Sequence, residues 1–523
     1  MRRHQKISCS LILLGLMSTF ITTVFAEEND ALVRIKELEA KMELMQQQRA
    51  EQDKQLDLVT KELVGLENQM SQSKITKTEE KGGSKGSAVY ATFKDGVTLE
   101  DGTGNWKLAI NGRIQADYRH FSPDVDAADT FSLRRARLGG TLTFYKDYLA
   151  RVEGEYSGGS TSLTYGYIDI NKFRSAKFRL GQFKPNYGLE RAMSTNFTDF
   201  QERSMGDTLL GSTFDRGAMV YGSPIQGFNY SLAYVNGTGT ADENNAKSDG
   251  KDATVRLTAN LSELMSWQNS IVHFGGFYAD GNQGSRRQAN NVPTGTTDAR
   301  GLSFFQTNCG TNANGTLNAA AVSACGGTLN ITTGLFNNGF KSDVNRTRAG
   351  LEAALAYGPV KLQSEYIRVN FDGKDFNRQI SDWYASLVWN TSGESFSDFY
   401  KEGVFGRLKP KNNYKEATSG WGALQVGLRF DQFDGSDFKK TGNAAGTGIL
   451  LNTPTSTTDG LLVATNEADS WTLGANWILN PNLRLVANYI RTGYDTPITV
   501  RVNGQNETLD HENAVTMRAQ FDF

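Results

Sequence analysis

Histidine and cysteine are nearly missing from this chain of 523 residues, at 4 and 3 copies, and proline reaches only 9. No CxxC occurs, and His120, His273 and His511 are far apart, so no metal site is expected. The same scatter assembles no Ser/His/Asp constellation, and enzymatic activity is not expected. A phosphate loop of the GxxxxGK type is absent too, since Lys81-Gly82-Gly83-Ser84-Lys85 does not fit one, and no cofactor is implied. Charge of one sign is also lacking: 55 Lys+Arg face 57 Asp+Glu, a net of -2, so no global basic field draws nucleic acid. After residue 26 no apolar run is long enough to cross a bilayer, and the mean hydropathy is -0.46. A polytopic helical membrane protein is thereby excluded, but a barrel is not.

What is abundant is glycine, with 54 copies, and aromatic residues at 11%, which suits a β-rich body with close backbone approaches. Residues 1–26 read as an export signal: Arg2, Arg3 and Lys6 precede an apolar core, and Val24-Phe25-Ala26 offers a cleavage site. Removing those three cations leaves 52 basic against 57 acidic groups, or -5 for the exported chain. Export places Cys309 and Cys325 in an oxidising compartment, where a disulfide between them is expected.

Three regions follow the signal. Over 27–73, Ile35, Leu38, Met42, Met45, Leu56, Val59, Leu63, Leu66 and Met70 step by threes and fours, which is a heptad seam. Such a helix buries its stripe most simply against copies of itself, so the segment predicts an oligomer. Residues 74–105, with their Gly/Ser/Lys run, read as a hinge. From Trp106 to Phe523 the period changes to two. Leu108, Ile110, Ile114, Ala116 and Tyr118 share one face, while Asn111, Arg113, Gln115, Asp117 and Arg119 share the other.

Alternation alone also suits a water-soluble sandwich. Two further patterns favour lipid. Aromatic residues gather at strand ends, as at Trp106 and Tyr118, Trp383 and Trp389, Trp471 and Trp477. Connections also alternate between short (Lys146-Asp147, Gly358-Pro359, Asn480-Pro481) and long (184–213, 280–345, 431–469, 492–512), although 391–420 is long for its side. The fold expected is all-β: an antiparallel transmembrane barrel of about sixteen strands with an aqueous lumen, behind an N-terminal periplasmic coiled-coil helix. The localisation that follows is the bacterial outer membrane, with lipid around the barrel. Val515, Met517, Ala519, Phe521 and Phe523 alternate up to the last residue, which resembles the terminal signal read by barrel-assembly machinery.

On the polar face, Arg113, Arg135, Arg137, Arg151 and Arg179 point into the lumen, with Arg134 near the rim. Residues 107–203 hold fifteen Lys/Arg against eleven Asp/Glu, an excess of +4 in a chain that is negative overall. Cationic rows in a confined lumen concentrate anions. Asp117, Glu153 and Glu155 are positioned to neutralise those arginines as ion pairs in the wall.

Asn111-Gly112-Arg113-Ile114-Gln115, Leu133-Arg134-Arg135-Ala136-Arg137-Leu138, Leu180-Gly181-Gln182-Phe183-Lys184-Pro185, Gly188-Leu189-Glu190-Arg191 and Gln201-Glu202-Arg203-Ser204 together resemble the phosphate-selective porin O and P family. The resemblance implies a homotrimer of sixteen-stranded barrels, a third loop folded into the lumen, an arginine ladder and a phosphate site. Placed on this chain, the third loop is 184–213; Arg191 stands where phosphate-selective members have a lysine, Ser194 matches a phosphate-contacting serine, and Arg203 a loop arginine. Arg134, Arg135 and Arg137 match the ladder stretch. The family's other constriction lysines have no located match in 280–345, where Arg286, Arg287 and Lys341 are the only nearby candidates. The function this supports is passive passage of small anions such as phosphate. Two alternatives stay open: a weakly selective general diffusion pore, and a structural or adhesive protein with a plugged lumen.

Overall fold

The computed structural model describes residues 88–93, 96–123, 129–237, 239–240, 251–282, 294–306, 345–373, 376–415, 420–438, 449 and 460–523. The export signal, the heptad seam, Cys309, Cys325, Arg286, Arg287 and Lys341 lie outside the described residues.

Sixteen antiparallel strands form the wall: β1 Trp106–Ser122, β2 Thr130–Phe144, β3 Tyr148–Glu155, β4 Ser162–Phe173, β5 Ala176–Phe183, β6 Asp215–Ile225, β7 Phe228–Val235 and β8 Asp252–Asn260. They continue as β9 Ser270–Asn282, β10 Asn345–Tyr357, β11 Val360–Gly373, β12 Phe376–Asn390, β13 Ala423–Asp434, β14 Glu467–Asn480, β15 Leu483–Val502 and β16 Gln505–Asp522. Each pairs with the next, and β16 returns to β1, from Asn513 beside Ser122 to Asp522 beside Arg113, so the sheet has no open edge there.

The side-chain pattern is inverted relative to a soluble protein. Along β14, Trp471 and Leu473 are 49% and 58% exposed, whereas Ser470 and Thr472 are wholly enclosed. Each outward Leu or Trp gains about 1.5–3 kcal/mol on leaving water. Facing lipid is therefore what the period of two accomplishes. One bulge re-aims a ladder residue: Gln115 faces Arg135 while Ala116 faces Leu133, so Arg134 is the extra residue. It turns inward instead of lying at the rim as its position suggests.

Two departures from the sequence reading occur. Within the stretch read as hinge, Val89–Phe93 and Val97–Asp101 form a hairpin whose second strand pairs with Lys107–Ile110 of β1. The Lys94-Asp95-Gly96 sequence between two alternating runs carries that signal. The lumen, moreover, is not uniformly wet. Loop residues Leu302, Phe304, Phe305 and Phe438 pack with Phe371, Phe433, Ile498 and Val500 inside one end. From the short-turn side, the long β12–β13 connection folds inward, so that Phe396, Tyr400 and Phe405 meet Leu189 and Met193. Strand periodicity fixes which wall residues face inward; it is silent about loops that re-enter and bring their own apolar side chains.

Candidate functional site

The connection from β5 to β6, residues 184–214, is the segment that shapes the interior. Gly188 starts its short helix Gly188–Ala192 at φ +69, where an added Cβ would collide with Glu365 Oε2. That approach lets the backbone N–H groups of Leu189 and Glu190 donate to the Glu365 carboxylate at 2.9 and 2.6 Å. Farther along, wall side chains grip loop carbonyls. Gln520 donates to Asn196 O (3.1 Å), Arg484 to Thr198 O (2.9 Å) and Arg518 to Gln201 O (2.6 Å). Phe200 lies over two strand glycines, since a Cβ on Gly474 would come within 2.8 Å of its ring and one on Gly427 within 3.1 Å.

Charge completes the anchoring. Glu202 Oε1 lies 2.8 Å from Arg518, 2.9 Å from Arg134 and 3.2 Å from Arg119. Burial opposes its ionisation, yet Arg134, Arg518, Arg135 and Arg119 prevail and hold it well below the usual carboxylate range. Glu190 accepts from Ser204 and from Arg429 Nη1, the latter at 3.2 Å, while burial keeps its pKa raised. Asp207 is likewise enclosed, but Arg191, Arg203 and Arg300 hold its pKa down.

Between this loop and strands β1 to β4 lies a cavity of about 390 Å³. Among the described residues, Arg113, Arg134, Arg135, Arg137, Lys184 and Arg203 line it, with Glu155 as the one lining acid. Ser194 and Thr195 add hydroxyls, and Thr195 accepts from Arg113 Nη1 at 3.0 Å.

The predicted residues divide by their partners. Arg137 reaches Glu155 at 2.6 Å and Glu153 at 3.5 Å, and Arg113 lies 3.9 Å from Glu153. Arg151 pairs with Glu153 at 2.7 Å and stacks on the lining residue Tyr165, but does not itself line the cavity. Arg179 makes a 2.7 Å fork with Asp169, stacks on Tyr167 and does not line the cavity. The pairs on Glu153 and Glu155 are ones the sequence foreshadows, whereas Asp169 is not among the acids it singles out. Arg191, expected to meet the anion, is buried: its guanidinium bonds to the Asp207 side chain and backbone carbonyl and to the carbonyls of Gly211 and Ser212. Its fork braces the loop, where a point charge would not serve four acceptors. Arg203 lines the cavity but also holds the carbonyls of Arg191 and Met193. Ser194 reaches the lining and accepts the Asn196 N–H at 3.3 Å.

Arg135 and Lys184 differ from the rest, because neither forms an ion pair among the described residues. Arg135 donates to Gln115 Oε1 at 2.8 Å. Lys184 donates to Ala192 O and Met193 O at 3.0 and 2.9 Å, and burial, then Arg203 and Arg191, push its ammonium well below the ordinary lysine range. In the sequence Lys184 stands out only as part of a motif. A lysine opening a re-entrant loop beside two arginines is the signal that marks it.

The family described as "Phosphate-selective porin O and P" matches residues 108–523. Porin O of Pseudomonas aeruginosa is 25% identical over 459 residues, covering 84% of this chain and 93% of that protein. Among solved structures, the trimer form of OmpT, an outer membrane protein of Vibrio cholerae, is similar at 10% identity and a TM-score of 0.45, over 80% of this chain and 99% of that one. The outer membrane channel DcaP of Acinetobacter baumannii is similar at 10% identity and a TM-score of 0.41, over 81% and 99%.

Proposed function

That this chain belongs to the phosphate-selective porin O and P family, and is an outer-membrane barrel channel, is the premise from which we propose that it allows passive passage of small anions, phosphate among them. The observation that carries this is the cavity beside the 184–214 loop, where, among the described residues, six cationic side chains meet a single lining carboxylate. Acids behind the lining cancel part of that charge, and Arg135 and Lys184 are the lining cations that form no direct ion pair among the described residues. Arg113, Arg134, Arg137 and Arg203 set the surrounding potential, while Ser194 and Thr195 offer hydroxyls to a partly dehydrated oxyanion. Arg151, Arg179 and Arg191 serve this pathway by holding wall and loop in place.

The same reading takes the chain as a homotrimer exported by its first 26 residues, with the heptad segment in the periplasm, a Cys309–Cys325 disulfide, and Phe523 presented to the assembly machinery. The test is a planar bilayer under a salt gradient. A reversal potential on the anion side, with chloride current reduced by added phosphate, is expected; a cation-side potential overturns the reading. Near-zero selectivity without phosphate block would instead support the general diffusion pore, and absent conductance the structural or adhesive protein.

A further inference from the structure

At the short-turn end of the wall, one strand has an open edge. Val89–Phe93 pairs on one side with Val97–Asp101, and no strand pairs with its other side among the described residues. The hairpin takes over the edge of β1 where β16 stops: a Cβ on Gly96 would lie 3.1 Å from the carbonyl carbon of Phe523. Register puts Val89, Ala91 and Phe93 on the same face as Leu99 and Val97, and through them Leu108 and Ile110 of β1. Phe93 is 80% exposed and Val89 65%.

An apolar strand with unpaired N–H and C=O groups along one side is a template for another chain. Lipid offers those groups no hydrogen bonds, so the bilayer alone is a poor cover. The segment upstream carries the heptad seam, which needs a second copy to bury its stripe. Residues 71–88, eighteen in all, separate the last seam residue Met70 from Val89. Fully extended, they reach about 60 Å. Copies joined through their seams therefore keep each Val89–Phe93 strand within reach of a neighbouring barrel.

We infer that Val89–Phe93 is an intersubunit contact strand, and that its occupant is a second copy of this chain. The inference rests on the homo-oligomeric reading above and adds the surface that reading lacks. It is tested in the full-length protein in outer-membrane vesicles, with a benzophenone amino acid replacing Phe93 and, as control, the exposed Trp267 in the β8–β9 turn. Irradiation is expected to give chain-to-chain adducts from position 93 and none from 267. A Val89→Asp/Phe93→Asp variant is expected to dissociate at least tenfold more readily in detergent, with heat-modifiable migration verifying a folded barrel. If native mass spectrometry finds an oligomer but position 93 yields only lipid adducts or none, this contact is wrong and the oligomer stands. If it finds a monomer, both fall.

Discussion

Replacing Arg135 by glutamine removes one of the two lining cations that form no direct ion pair among the described residues, and the consequence can be sized in advance. A unit charge about 6 Å from a passing ion, at an effective dielectric between about 20 and 80, is worth about 0.7–2.8 kcal/mol. Even the lower figure changes local anion concentration about threefold and acts inversely on cations, so the chloride-to-potassium permeability ratio should fall by about tenfold. The assay is the reversal potential in a planar bilayer at about 0.1 M salt, where the screening length is about 10 Å; at about 1 M it shortens to about 3 Å and the difference should shrink. Arg135→Lys should retain most of the preference. The variant costs the hydrogen bond to Gln115 Oε1, so its folding is verified by heat-modifiable migration. A folded Arg135→Gln barrel with an unchanged ratio would refute the assignment of the anion path to this cavity.

Lys184 gives the anion preference an upper pH limit: its charge is present below its folded pKa, which lies well below 10.5, and is lost as pH rises through it. Anion preference should decline in that window, the loop should become more stable as the strained proton leaves, and Lys184→Arg should abolish the decline. Glu202 behaves oppositely. Its depressed carboxyl stabilises fully above the unfolded value of 4.5 and loses that contribution only as pH falls through its lower folded value. Resistance of residues 184–214 to protease should thus be flat from neutral pH to about 4.5, whereas Glu202→Gln, which leaves buried arginine charge uncompensated at a cost of about 3–5 kcal/mol, should expose the loop at neutral pH. Gly474→Val places a branched side chain where Phe200 lies within 2.8 Å of even a Cβ, and should displace the loop and raise single-channel conductance; unchanged conductance and protease pattern would count against the packing described.

The wall was legible because a period of two has one cause here, lipid outside and water or loop inside. Residues such as Leu473 and Thr472 declare their side individually. The partners of the arginines were legible only in part. Glu153 and Glu155 sit on the strand beside Arg137, so local sequence suggests those pairs. The bond from Arg191 to Asp207 and the gathering of Arg119, Arg134 and Arg518 on Glu202 depend on how a loop folds back through space. The β12–β13 connection shows the same limit. Its excess length marked it as unusual, but nothing in its pattern foretold that Tyr400 would reach the enclosed His273 at 2.6 Å.

Asp117 belongs to the first strand of the wall and Arg518 to the last, and they meet through a fork of 2.7 and 2.8 Å that also touches Glu202. Those two residues are neighbours only once the cylinder is complete. The clasp on the inner loop is consequently finished by the same event that zips the first strand to the last.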